Sequence, residues 1–181
     1  MDDDPTGERP LPGARTLLVP LASEHAEPLR AIRRHPDVYR WWRDLEDGFP
    51  LQDEPDAVRY VVCLREPSGQ ITPTARGMIQ YWEEPEPDYR HAGIDLFLDP
   101  QVHGRGIGRE VIALLARYLI DIRGHHRLSI DPAADNARAI ACYRAVGFRP
   151  VGLMRRYERG PDGSFHDGLL MDALPDDLAR P

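Results

Sequence analysis

HAGIDLFLDPQVHGRGIGREVIALLARYLIDI, residues 91–122, is the stretch on which the reading of this chain turns. It begins with an apolar alternation, Ile94, Leu96 and Leu98, that stops at Asp99-Pro100. Gly104, Gly106 and Gly108 then recur at every second position. Beyond them Val111, Ile112, Leu115, Tyr118, Leu119 and Ile122 return at spacings of three and four, the period of a helix with one buried face. The order is strand, glycine turn, helix.

Such a turn suits an anion. The first N–H groups of a helix have no intrahelical partner and carry the positive end of its dipole. Glycine lets the backbone approach closely and adopt conformations that a side chain forbids. A phosphate or pyrophosphate ligand is therefore expected. A nucleoside-triphosphate loop fits poorly, because Gly108 is followed by Arg109 and Glu110 instead of Lys and Ser or Thr. A dinucleotide fingerprint starting at Gly104 would need glycine where Arg109 stands. A plain glycine-rich connection stays open on these residues alone.

The chain has 181 residues, 41% of them hydrophobic and 29% charged, the make-up of one ordinary domain. No run approaches the roughly 20 apolar residues of a membrane span. The opening MDDDPTGERP is acidic where a secretory signal would be basic and then apolar. A cytoplasmic protein without membrane association is expected, with monomer and homodimer both open. Cys63 and Cys142 stand far apart and in no metal-ligand spacing, so buried, reduced thiols are expected. His125 and His126 point in different directions on a helix or a strand, and no metal is expected. The net charge of −7 disfavours nucleic acid and draws cations inward. An anionic ligand must then rely on helix-end donors and on arginines such as Arg105 and Arg109.

Residues 1–15, rich in Pro, Gly and charge, read as a flexible tail. Thr16 to Leu21 read as a strand, and Ser23 as the N-cap of a helix, EHAEPLRAIRR, that Pro36 stops. DVYRWWRDL places Val38, Trp41, Trp42 and Leu45 at helical spacing. Adjacent tryptophans cannot both face the core of a regular helix, so one of Trp41 and Trp42 should line a cleft, unless an irregular helix end buries both. Residues 57–82 read as a hairpin around PSGQ, and EEPEPD, residues 83–88, as a loop. HRLSIDP is a short strand. A helix from Asn136 to a Gly147 cap follows, then a final hairpin turning at PDGS. The fold class is α/β, a mixed sheet with helices on its faces.

HGRGIGREVIALL resembles the acetyl-CoA loop of the GNAT superfamily of N-acetyltransferases, in which Arg or Gln, two residues, Gly, one residue, and Gly or Ala open a long helix. Gly106 and Gly108 take the small positions and His103 stands in place of Arg or Gln. DNARAIACYRAVGF resembles the second GNAT motif through Asn136, Ala139, Tyr143, Gly147 and Phe148. The resemblance runs from Thr16 to about Leu174 and implies a GNAT domain over 16–174 with a C-terminal tail over 175–181. It implies a central mixed, mostly antiparallel sheet of about seven strands flanked by about four helices. It also implies acetyl-CoA held by Leu96, Phe97, Leu98, His103, Gly104, Arg105, Gly106, Ile107, Gly108, Arg109, Asn136, Ala139 and Tyr143.

In that chemistry the substrate amine attacks the thioester directly, so the protein must supply orientation, carbonyl donors and a proton acceptor. Asp95 interrupts an apolar strand and Asp131 ends the next one. GIDLFL before the loop and IDPAADNARAIACY after it resemble the aminoglycoside 6′-N-acetyltransferases, and a group acetylating the 2′-amine of kasugamycin-like aminoglycosides is similar. The resemblance implies Asp95 as base or substrate anchor, Asp131 as anchor for substrate amines, and Tyr143 as the acid that protonates the thiolate. It further implies Trp41 or Trp42 at the antibiotic site. The loop from Tyr81 to Ala92 is shorter than in many such enzymes, and its own acidic run, Glu83, Glu84, Glu86 or Asp88, is expected to add charge at the rim. The expected function is antibiotic resistance by acetylation of a cationic aminoglycoside. Another amine substrate, such as a polyamine, a siderophore precursor or a protein N-terminus, is the alternative. A non-catalytic module binding acyl-CoA or a cationic drug is the alternative of another class.

Overall fold

The computed structural model describes residues 9–52, 54 and 56–178. The chain opens with β1 (Leu11–Pro12) and β2 (Thr16–Pro20), followed by α1 (Ala26–Arg34) and α2 (Pro36–Trp42). Next come β3 (Ala57–Arg65), β4 (Ile71–Thr72), β5 (Gly77–Glu84) and β6 (His91–Leu98). After the glycine turn, α3 (Ile107–Arg117) runs on as a π-helical stretch, Tyr118–Ile122. Then β7 (Leu128–Ile130), α4 (Ala137–Val146), β8 (Arg149–Arg159) and β9 (Phe165–Ala173) complete the order.

All nine strands form one sheet, in the order β1-β2-β3-β5-β6-β7-β9-β8, with β4 paired to β3. The pair β6–β7 is parallel, and the other pairs are antiparallel. The sheet is larger than the seven strands expected. Leu11–Pro12 adds to β2, and the return strand of the first hairpin breaks after Thr72 and resumes at Gly77. Strand β5 also runs through Glu83 and Glu84, where a loop was expected.

Period-two alternation sorts the side chains of β6 between two cores. Ile94, Leu96 and Leu98 pack with Val111, Ile112 and Leu115 of α3. Phe97 faces the opposite way, onto Leu29 and Ile32 of α1 and Val38 of α2. Asp95 shares the Phe97 face. Burying each such aliphatic side chain contributes about 1.5–3 kcal/mol.

Several boundaries differ from expectation for local reasons. Ser23 does not cap α1; Ser23–His25 is a 3-10 turn, and the N–H of Ala22 donates to His25 Nδ1 at 3.0 Å. Pro36 both stops α1 and opens α2 at its first turn, as its missing N–H allows. The first tail is shorter than expected, since Leu11 is buried and pairs with Leu18, whereas residues 1–8 lie outside the described ones. At the other end Pro175–Asp177 forms a 3-10 turn with Asp177 paired to Arg149, and residues 179–181 lie outside the described ones.

Gly147 closes α4 as read, at φ 128°, with the carbonyl of Asp177 standing where a Cβ would go. Both the conformation and the space exclude a side chain. Gly147→Ala should therefore destabilise the fold by more than about 1 kcal/mol. Gly152→Ala, where nothing lies within 4 Å, is the control, and denaturant midpoints compare the two.

Candidate active site

The site begins at the edge that β6 shares with β7. These two strands pair through Ala92 with Leu128 and Gly93 with Ser129 and then diverge. Asp95 and Asp131 both lie beyond the last paired residues, as the expected splay requires.

A cavity of about 500 Å³ opens beside the gap, between β6, the glycine turn, α4 and α2. Every residue expected to hold the cofactor lines it except Arg105. The turn presents Gly104 at φ 70° and Gly106 at φ 76°, and Gly106 caps α3 without any side-chain hydrogen bond. The first N–H groups of α3 thus stay available to an anion. A Cβ on Gly108 would meet Cys142 Sγ and Leu98 Cδ1 at 3.4 Å, so α3, α4 and β6 converge tightly there.

His103, which stands where the family has Arg or Gln, is engaged on both ring nitrogens. Its Nε2 lies 3.1 Å from the carbonyl of Leu98, and its Nδ1 lies 2.9 Å from Arg138 Nη1. Nδ1 must accept from the guanidinium, so Nε2 carries the proton. Burial and the charge of Arg138 hold its pKa below the ordinary value, so it props the turn as a neutral ring. Arg138, a fixed position of the second motif that was given no role, adds positive charge to this wall beside Arg109. A second unforeseen clamp holds the turn from outside. Arg15 donates from its N–H and Nε to Glu110, at 2.7 and 2.9 Å, and from Nη1 to the carbonyl of Arg105 at 2.8 Å.

Two motif residues of α4 meet the cavity in different ways. Asn136 accepts the N–H of Ala139 at 3.2 Å and so caps the helix while lining the wall. Tyr143 is 8% exposed and also lines the wall; its hydroxyl has no hydrogen-bond partner among the described residues. Burial, with Asp95, Cys142 and Asp131 nearby, pushes its pKa well above the ordinary tyrosine value, so it keeps its proton. Cys142, expected to be buried, is only half-buried and reaches the same wall.

Across the gap lies an acidic cleft. Asp95 keeps one side open to solvent, yet the surrounding protein, with Asp131 and Glu158 near it, pushes its carboxyl up to about 8. The Tyr157 hydroxyl faces Asp131, and that carboxylate together with burial raises the phenol to about 12. Glu158 is raised as well, by burial and by Asp131, against the pull of Arg43. Neither Tyr157 nor Glu158 was among the expected site residues.

Trp41 and Trp42 both line the cavity, because α2 ends at Trp42 and the pair sits on its last turn. Trp42 also packs edge-on against Phe97 at 5.3 Å, so it serves core and cavity together. Glu83 and Glu84 do not join the acidic cleft. Glu83 lies opposite Ala92, on the sheet face away from Asp95. Burial works against its charge, but Arg123 at 2.7 Å and His125 at 2.6 Å outweigh it and hold the carboxyl below its usual range. Glu84 pairs with His91 at the far end of β6 and accepts the N–H of Glu86 at 3.0 Å.

A sheet that splits at one parallel pair, with a glycine-led helix N-terminus at the gap, is the fold of a known group. The model of the Acetyltransferase (GNAT) family matches residues 20–148, more than half of the chain. The chain belongs to that family. Its members use acetyl-CoA to acetylate amines. This GNAT chain is 38% identical over 73 residues to the N-alpha-acetyltransferase RimI of Mycobacterium tuberculosis, covering 40% of this chain and 44% of that one. It spans about half or less of the length of the curated relatives it matches. Among solved structures, RimJ of Mycobacterium smegmatis in complex with CoA-disulfide superposes with a TM-score of 0.78 at 18% identity, covering 97% of this chain and 91% of that one. AAC(6')-Ib in complex with paromomycin and acetyl-CoA gives 0.68 at 21% identity, covering 90% and 95%. Likeness at these identities establishes the fold.

The residues of this GNAT chain fit acetyl-CoA. An uncapped helix N-terminus meets the need of a pyrophosphate, and a buried, unpartnered tyrosine hydroxyl meets the need of a thiolate.

Asp95 carries a stability signature. Its carboxyl is raised in the folded protein, so this contribution is favourable below about pH 4 and is lost as pH rises through about 8. Asp95→Asn should leave the melting temperature close to wild type at pH 4, stabilise increasingly toward pH 8, and level off above it. Thermal melts of both proteins across that range check this.

Proposed function

We propose that this chain transfers the acetyl group of acetyl-CoA to an amine of a cationic aminoglycoside, at the 6′ or 2′ position, and thereby confers antibiotic resistance. The observation that carries the reading is the juxtaposition of an acidic cleft, Asp95 with Asp131 and Glu158, and a protonated, unpartnered Tyr143 on the cavity wall. Such a cleft stabilises a polycation and relieves its own carboxylate repulsion in doing so. The fold likeness to a structure that holds paromomycin and acetyl-CoA adds support.

In this reading Asp131 anchors a substrate ammonium and Asp95 takes the proton of the reacting amine. The nitrogen lone pair forms the C–N bond at the thioester carbonyl, the C–S bond breaks, and the departing sulfur takes the phenolic proton of Tyr143. The tyrosine is reprotonated from solvent. Trp41 and Trp42 offer flat apolar walls to sugar rings. The nucleotide end of acetyl-CoA meets the N–H groups of Gly106, Ile107 and Gly108. Cytoplasmic residence accords with a need for acetyl-CoA. The similarity to RimI favours a second reading, in which the amine is a protein N-terminus.

Thiol release from acetyl-CoA should occur with kanamycin-type aminoglycosides or kasugamycin and exceed that with a peptide or a polyamine, and NMR of the product should locate the new amide. Release with the peptide alone would replace the aminoglycoside reading by the second one; no release with any amine would discard both. Asp95→Asn should lower kcat/KM by about 10² to 10⁴. In the wild type kcat/KM should fall as pH drops through about 8, where Asp95 protonates, and in the variant that limb should vanish. Tyr143→Phe should lower kcat about tenfold or more, with the KM for acetyl-CoA little changed.

A further inference from the structure

We propose that Glu158 selects amines that carry a second positive charge, and that Arg43 holds the place of that charge until the substrate displaces it. The inference rests on the amine-acetylation reading above and assigns a specificity-determining residue within it.

Glu158 reaches the cleft through an irregularity in the hairpin. The register of β8 on β9 shifts between Met154 and Glu158, and Arg156 takes φ 50° there, its N–H held by Asp167 Oδ1 at 2.7 Å. A bulge of this kind re-aims the side chains that follow it. Tyr157 thereby faces Asp131, and Glu158 comes near enough to Asp95 to help raise its carboxyl, while Asp131 helps to raise Glu158. The carboxylates are ordered along the cleft. Tyr143, whose unpartnered hydroxyl marks the reacting centre, is 8% exposed, whereas the Glu158 side chain is nearly half exposed. Glu158 therefore stands further out, where a second nitrogen of a bound substrate would lie.

Its present partner is weak. Arg43 Nε lies 3.8 Å from Glu158 Oε1, beyond hydrogen-bond reach, with both side chains nearly half exposed. Glu158 accepts no hydrogen bond from the described residues, so its oxygens are free for ammonium donors. An exposed pair of this length contributes little and yields readily to a competing cation.

The backbone behind Arg43, by contrast, is firmly placed. Arg43 has φ 60° and ψ −164°, a conformation rare outside glycine. The peptide groups on either side are gripped by Arg33, whose Nη2 donates to the carbonyl of Trp42 at 2.9 Å and reaches that of Asp44 at 3.4 Å. Arg33 is 1% exposed and lies over the rings of Trp42 and Phe49 at 4.8 and 4.6 Å. The main chain stays fixed while the Arg43 side chain swings. A monoamine leaves the pair intact; a diamine replaces it.

Calorimetric titration of the CoA-saturated protein with a monoamine, cadaverine and kanamycin tests this, and the CoA affinity of each variant serves as the fold check. Glu158→Gln should raise the Kd for cadaverine and kanamycin about tenfold more than that for the monoamine. Arg43→Gln should lower the cadaverine Kd several-fold in the wild-type background and leave it unmoved in the Glu158→Gln background, the mark of a coupled pair. Equal factors for monoamine and diamine, or weaker diamine binding by Arg43→Gln, would overturn the proposal. Thiol release is measured separately. Release with an unmoved Kd ratio overturns the selection alone, and the charge-dependent Kd pattern without any release overturns acetyl transfer while supporting the selection.

Discussion

The divergence of β6 and β7 is the constraint from which the site follows. Two neighbouring strands of a sheet stay together only while their backbone groups pair, and here pairing lasts for two residue pairs, Ala92 with Leu128 and Gly93 with Ser129. Beyond Gly93 the free edge of β6 faces a cavity instead of a strand. The backbone groups of Leu96 to Leu98 on that edge must then be met by something other than the sheet. His103 already takes the carbonyl of Leu98, and the rest stand open to a ligand. The gap also brings Asp95, Asp131 and Tyr143, from three elements, around one point.

That gap separates two regions of opposite polarity. On the cavity side the N-terminus of α3, with Arg138 beside it, meets an anion in a chain whose net charge is −7. On the other side Asp131 and Glu158 raise the cost of ionising Asp95, Asp131 raises that of Glu158, and a cation relieves both. Under the proposed function an anionic cofactor and a cationic amine would be drawn to the same place from different directions. Tyr143, kept protonated by burial and by Asp95 and Asp131, stands between them.

Both regions are held by arginines that make no contact with the reacting centre. Arg15 ties the glycine turn to the N-terminal strands through Glu110 and the carbonyl of Arg105. Arg33, buried among aromatic rings, sets the end of α2 and with it both tryptophans and Arg43. A buried guanidinium is tolerated because rings and carbonyls surround it, and its burial lowers its pKa against the pull of Glu46 and Asp95.

The amino-acid sequence by itself determined the elements, because periodicity, proline and glycine act locally. The period of α3, the Asp-Pro ends of β6 and β7, the Gly147 cap and the Asn136 cap were all legible, as were most of the cavity-lining positions that share one turn and two adjacent elements. Glu83 misled, since its place in an acidic run says nothing about which sheet face it occupies; the register with Ala92 turned it toward Arg123 and His125. Glu158 was missed for the converse reason. It lies in a basic strand, and only a register shift on β9, which no local pattern announces, carries it to the cleft. Arg15, Arg33 and Arg43 act across long separations or through backbone carbonyls, so residue type alone gave no sign of them, and the motif that contains Arg138 gave it no partner. Tertiary structure decided which charges face the gap, because pairing register and burial, not composition, set the neighbours that a charge must answer to.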